Sequence, residues 1–597
     1  MKPNGKKSES RRLRLLGLKT EQQDVRDSRS CVLIQIDGLS HENFNRAIVK
    51  GKLPFLRRYL RAGHGIKGSW QSMLPTSTGA FQTGLFYGNN DDVPGFFWYD
   101  KRTDSAVSLN TVRCSADLED RVKRTVAPYP GLLSGGSAYC ALFCGGATNT
   151  ILTFAKLFHP SVNIATTWLS LALFAVFQFV LIARIMFYAL MELMVAIYDL
   201  VCALFTEKNK YLEFRFVVAR IATVVLCREI ATLAAILDIY RGTGPIYLNH
   251  IAYDEHAHHR GPTSAYAFWT LRGIDASIER VWRTIEHAKQ LGIRDYDFYV
   301  WSDHGQTDTL PFQEVFNQDP DRHFDSLFQS MYAETEELRA HAHSRHKTER
   351  IRRGRFLRGQ HGRYARSRIQ WQAEHAENIS GVFPGVLKSI YRWFLKPARN
   401  QRTSQNGADK DRLVHLISTG PVAHLYLLDR KERLFLEDWL ECCPEFVNAL
   451  ADHPGIGFAL ARSKPNNAKV GVAGLWYDIS NHASFRNVAP DIADVIHENL
   501  AEFKRWAAMP SAGDVILFGY RGKHVPSISY SYERGGHTGP SSSEMTPFII
   551  VPQHCAEMWK ELTDDKARRL RLHDLQERLR NAYTNEKIIS EGTRHVS

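Results

Sequence analysis

The chain has 597 residues, 44% of them hydrophobic and 23% charged, which excludes wholesale disorder and calls for several folded units or one large domain with insertions. Its formal charge of +13 is concentrated: residues 341–370 carry ten Lys/Arg, from Arg345 to Arg368, against Glu349 alone. The nine cysteines, with Cys442 and Cys443 adjacent and none in a C-x-x-C pair, argue against a disulfide framework or a thiolate-rich zinc site.

The N-terminus is Lys/Arg-rich up to Lys19, then polar, with no apolar run of signal-peptide type before Cys31. CVLIQIDG, starting at Cys31, reads as a buried strand that delivers Asp37 and a glycine at its carboxyl end, where ligands lie in open α/β sheets. SMLPTSTGAFQTG follows, a proline-containing turn before Thr78 with a helix expected from Ala80 to Leu85. Leu157 to Ala183 contains no Asp, Glu, Lys or Arg and is long enough to cross a bilayer; Ile185 to Phe205 is also apolar but holds Glu192 and Asp199. The alternative for this stretch is a helical cap packed on itself.

A helical rhythm from Phe214 to Tyr240 returns the chain to the sheet. Further strands are expected at Ile246–Ile251, Asp297–Trp301, Leu413–Ser418, Val515–Gly519 and Phe548–Val551. Several are followed by helical stretches, which favours a largely parallel sheet covered by helices. The basic block suits anionic lipid, a phosphorylated substrate or nucleic acid, or is a solvated loop. With only Phe356 and Tyr364 inside it, a base-stacking platform is disfavoured, so nucleic acid is not an expected partner. Gly381–Leu395 reads as an interfacial or a packed helix, and Asn400–Asp411 as a linker.

Acid and imidazole groups recur at the ends of these strands: Asp37 in QIDG, Asp254 and His258 in YDEHAHHRG, Asp303 and His304 in WSDHG, and His537 in GGHTGP. Any one of the 25 histidines is more often a surface residue than a ligand, but oxygen and imidazole donors flanked by glycines suit a divalent cation such as Zn²⁺. On a helix, the four-residue spacing puts Asp254 and His258 on one face. A phosphate beside Thr78 would meet unpaired amide groups of a starting helix, and a nearby metal would activate its hydroxyl. Taken alone, TST is simply a hydroxyl-rich turn.

The ordered set resembles the type I phosphodiesterase / nucleotide pyrophosphatase branch of the alkaline phosphatase superfamily, over roughly Cys31–Gly88, Ile246–Gln306 and Val515–Pro552. The resemblance implies an α/β, alkaline-phosphatase-like sandwich and two divalent metal ions, Zn²⁺ expected and Mn²⁺ the alternative. One ion would be held by Asp254, His258 and His537 and the other by Asp37, Asp303 and His304, with Thr78 as nucleophile and itself a ligand. It implies a phosphodiesterase or phosphatase working through a phosphothreonine intermediate, or alternatively a phosphotransferase that passes the group to an acceptor alcohol. Gly79 and Ala80 depart from the bulkier pair common in nucleotide-cleaving members, and the segment between Thr150 and Glu213 is extra to their catalytic core. The sulfatase signature around the nucleophile is missing.

The expected organisation is a basic N-terminus (1–30), catalytic segments at 31–150, 214–340 and 413–560, a hydrophobic helical insertion (151–213), a basic insertion (341–412) and a helical tail (561–597). Site residues on both sides of the insertion allow zero or two membrane crossings between residues 78 and 254. A two-pass anchor, with the site on the cytoplasmic face of the membrane and lipid as a partner, is the expectation. Oligomeric state is not legible.

Overall fold

The computed structural model describes residues 29–156, scattered positions between 183 and 197, and residues 225–340, 413–428, 430–562 and 569–583. Its central sheet has seven strands. In spatial order they are Gly65–Ser69, Phe548–Pro552, Tyr296–Trp301, Ser30–Ile36, Ile246–His250, Ser137–Tyr139 and Asn149–Ile151. The pairings among the last five are parallel, whereas Phe548–Pro552 runs antiparallel to both of its neighbours.

Alternation along the strands explains why the sheet is covered on both faces. Val32, Ile34 and Ile36 join Leu248, Phe298 and Val300 in one core cluster, while Cys31, Leu33, Tyr247, Tyr299 and Trp301 join another. The first face is closed mainly by the helices Arg228–Arg241 and Ala265–Gln290, and the second by Thr78–Tyr87 and Leu572–Tyr583. Of the helical stretch expected over Phe214–Tyr240, the later part is observed in the helix Arg228–Arg241, and residues 214–224 lie outside the described residues.

A second sheet has six strands, all antiparallel, in the order Val414–Thr419, Val422–Leu427, Val515–Phe518, Phe458–Ser463, Asn467–Val472 and Leu475–Asp478. Two of the strands expected from sequence thus belong here and not to the parallel sheet. The hairpin turn at Gly420 reaches the His537 loop: a Cβ there would lie 3.0 Å from the carbonyl oxygen of His537.

The membrane expectation requires correction. Among the described residues no helix is long and apolar enough to cross a membrane, which contradicts the transmembrane helix and the membrane-associated location inferred from the sequence and leaves the lipid partner without support. Hydropathy records how apolar a segment is, which a bilayer and a protein interior satisfy alike. Residues 157–182 and most of Ile185–Phe205 lie outside the described residues, as do the basic block at 341–370 and Gly381–Leu395.

Candidate active site

The carboxyl ends of the central strands converge. Asp37 follows Ser30–Ile36, Asn249 is near the end of Ile246–His250, and Asp303 and His304 follow Tyr296–Trp301. Between them sits Gly38, at φ 74°; a Cβ at this position would overlap Asp254 Oδ1, so both the backbone conformation and the close approach require glycine. Asp254 and His258 share a face of the helix Ala252–Arg260, with Nε2 of His258 3.2 Å from Asp254 Oδ2.

Thr78 opens the helix Thr78–Tyr87, two residues earlier than the start at Ala80 expected from sequence. Ser77 is its N-cap, the hydroxyl accepting from the amide of Ala80. The Thr78 hydroxyl is buried, 3.3 Å from Asp37 Oδ1 and 3.3 Å from His304 Nε2. The turn before it is tied to the His537 loop by a two-way backbone bridge between Thr76 and Thr538, and Thr538 adopts a φ of 94°, a conformation costly for a β-branched residue.

Two groups of donor atoms are close enough to share a cation: Asp37, Asp303 and His304, and Asp254, His304 and His537. The first is the set expected from sequence. In the second, His304 stands where His258 was expected, its ring stacked on His537 at 3.9 Å between centroids. His258 is adjacent, 5.0 Å from the His537 ring. All seven residues singled out from sequence therefore meet in one place.

The histidines are oriented alike. Nδ1 of His537 donates to the Thr76 carbonyl at 2.7 Å, Nδ1 of His304 to the Gly305 carbonyl at 3.0 Å, and Nδ1 of His258 to the Gly535 carbonyl at 3.0 Å. A carbonyl can only accept, so each ring carries a proton on Nδ1 and turns Nε2 towards the carboxylates. Burial and the facing charges of Asp303 and Asp254 push the Asp37 carboxyl well up, and burial, with Asp254, raises Asp303 against the pull of His304. Burial would raise Asp254 too, but His258 holds it below the carboxylate range; burial would lower His258, but Asp254 and Glu533 hold it up. Burial and His304 lower His537. Asp303 Oδ2 is buried without a hydrogen-bond partner. Two buried carboxylates and the partly buried Asp254 crowded together, an orphaned oxygen and three inward Nε2 atoms fit divalent cations, whose charge would relieve that repulsion.

Sequence reasoning missed the supporting residues. Asn249 donates to Asp37 Oδ2 at 2.7 Å, Glu533 Oε2 lies 3.3 Å from His258 Nδ1, and Gln306 donates to Asp254. A polar residue inside the apolar strand IYLNH was the available signal for Asn249. Gln306 and Glu533 lie two and four residues from His304 and His537, which marks neither.

The chain is similar in structure to murine ectonucleotide pyrophosphatase / phosphodiesterase 5, at 10% identity and a TM-score of 0.42, over 93% of this chain and 94% of that one. It is also similar to phosphonoacetate hydrolase from Sinorhizobium meliloti 1021, at 11% identity and a TM-score of 0.41, over 93% and 96% of the two chains. No curated protein matches it in sequence. The family model described as Type I phosphodiesterase / nucleotide pyrophosphatase matches residues 31–353, a span that holds six of the seven converging residues and leaves His537 beyond its end. That span is more than half of the chain, and the chain belongs to the type I phosphodiesterase / nucleotide pyrophosphatase family.

Proposed function

We propose that the chain is a metal-dependent phosphoric ester hydrolase in which Thr78 Oγ1 is the nucleophile. The observation that carries the reading is the common orientation of His258, His304 and His537 around Asp37, Asp254 and Asp303, with the Thr78 hydroxyl against both Asp37 and His304. Asp37, Asp303 and His304 would hold one cation, and Asp254, His258 and His537 the other, with His304 between them. Two cations held there would neutralise charge on the phosphoryl oxygens and acidify the attacking hydroxyl and water.

The chain's own part is positioning. Ser77 fixes the first turn of the helix, so a phosphoryl group at Thr78 faces amide groups left unpaired at a helix N-terminus. Thr78 Oγ1 forms a bond to phosphorus as the bond to the leaving alkoxide breaks, and the hydroxyl proton ends on that alkoxide. Water then attacks the same phosphorus, restoring Thr78 and releasing the phosphate product, which keeps its second ester group if the substrate was a diester.

The test is a panel of phosphomonoesters, nucleotide diesters and glycerophospholipid-type diesters, assayed with Zn²⁺ or Mn²⁺ on Thr78→Ala, Ser77→Ala and the parent. Thr78→Ala should lose turnover by several orders of magnitude with unchanged metal content, and Ser77→Ala should lose only what the helix cap contributes, roughly tenfold. A dead Ser77→Ala beside an active Thr78→Ala would overturn the assignment.

A further inference from the structure

At the opposite end of the central sheet a second group of donors has no place in this chemistry. Asp297 lies at the start of the strand Tyr296–Trp301, while Asp303 follows its end, which separates the two sites by roughly 20 Å at ~3.3 Å per residue. The antiparallel strand Phe548–Pro552 finishes at that same end and delivers His554 and Cys555. One donor atom from each of Asp297, His554 and Cys555 lies within 4.8 Å of the others.

We propose that Asp297, His554 and Cys555 form a separate site for a thiophilic divalent cation, with Zn²⁺ the best chemical fit. Nε2 of His554 is 2.7 Å from Asp297 Oδ1, and Cys555 Sγ is 3.9 Å from Asp297 Oδ2. Donors around a four-coordinate zinc stand roughly 3.3–3.8 Å apart, given Zn–N and Zn–O bonds of about 2.0–2.2 Å and a Zn–S bond of about 2.3 Å. Small side-chain adjustments therefore admit the ion. Thiolate, imidazole and carboxylate together select Zn²⁺ over Mg²⁺ or Ca²⁺.

The surroundings supply orientation and access. The Tyr583 hydroxyl donates to Asp297 Oδ2 at 2.5 Å and is itself 2.9 Å from the Tyr299 hydroxyl, which fixes the carboxylate. His554 is half-exposed and lines a cavity of about 340 Å³ shared with His64, Trp282 and Lys289, so the fourth coordination position opens on this cavity. The ion would tie two strands of the sheet to the C-terminal helix that carries Tyr583. Arg29 is the competitor: its guanidinium stands 3.6 Å from Asp297 Oδ1, half-exposed, as the counter-ion in the absence of metal. Cation binding releases the Cys555 thiol proton to solvent, so affinity rises with pH.

The site can be read apart from the Thr78 site, because none of the donors at the Thr78 site contains sulfur. The full chain, stripped with chelator, is titrated with Co²⁺ and its near-ultraviolet thiolate-to-cobalt charge-transfer absorption followed. The band should appear in the parent and in Cys31→Ser, a control for the buried thiol whose backbone pairs with Asp297. It should vanish in Cys555→Ser, weaken at least tenfold in affinity in His554→Ala, and strengthen in Arg29→Ala. Zn²⁺ content should fall by one ion per chain in Cys555→Ser with phosphoesterase turnover retained. His554 is partly exposed, so His554→Ala decides the matter if Cys555→Ser fails to fold. No thiolate band in the parent, or a band that survives both Cys555→Ser and His554→Ala, overturns the proposal.

Discussion

Replacing Asn249 by alanine removes the hydrogen bond that holds Asp37 while leaving every donor of the Thr78 site in place. The Asn249 side chain reaches Asp37 Oδ2 at 2.7 Å, and both residues are almost fully buried, so water cannot substitute without a cavity. A buried hydrogen bond to a charged group contributes about 1.5–3 kcal/mol, which is roughly 10- to 150-fold in an equilibrium constant. The bond favours the ionised carboxylate, and losing it adds to the burial and the Asp303 and Asp254 charges that already push Asp37 up. Two consequences follow: Zn²⁺ affinity at the Asp37 position falls within that range, and its dependence on pH moves to higher pH because Asp37 must first lose its proton. Competition against a chromophoric chelator at several pH values, on Asn249→Ala and the parent, reads both. Affinity unchanged within twofold at every pH would refute the reasoning, since it would mean that Asp37 neither carries charge nor binds metal.

Glu544 accepts from the amides of Gly539 and Ser541 at 2.8 and 3.0 Å, yet burial raises its carboxyl to about 7 from an ordinary 4.5. A raised folded-state value means that its contribution is complete below the unfolded value and is lost as pH rises through 7. Denaturant titrations should therefore show about 3 kcal/mol more loss between pH 4.5 and pH 8 in the parent than in Glu544→Gln. Gly79→Ala places a methyl group on Leu109 Cδ1 and should cost about 1–3 kcal/mol, as well as activity, through displacement of Thr78. Leu109→Ala in the same chain should restore the activity, and kcat/KM of the pair measures it.

The candidate site was legible in the sequence because its chemistry is local: an acid or imidazole after an apolar strand, flanked by glycine, is visible in QIDG, WSDHG and GGHTGP. All seven residues lie together in the structure. The division of donors was less legible, since His304 stacks on His537 through a contact between residues 233 positions apart in sequence. The supporting residues Asn249 and Glu533 act through single side-chain contacts that leave no spacing pattern. Every expected strand was found, but Val414–Thr419 and Val515–Phe518 sit in a second sheet, because a buried strand reads alike whichever sheet receives it. The departure at Gly79 has a packing cause: Leu109 and Val93 occupy the space a side chain would need.

The most direct measurement is acid-quenched single turnover with a phosphate ester, followed by peptide mass spectrometry across Ser72–Leu85. The account predicts a transient phosphoryl adduct on Thr78 that forms at the rate of leaving-group release and decays at the rate of product release. Turnover with no adduct on Thr78, or an adduct on Thr76 or Ser77 that decays at the turnover rate, would contradict it.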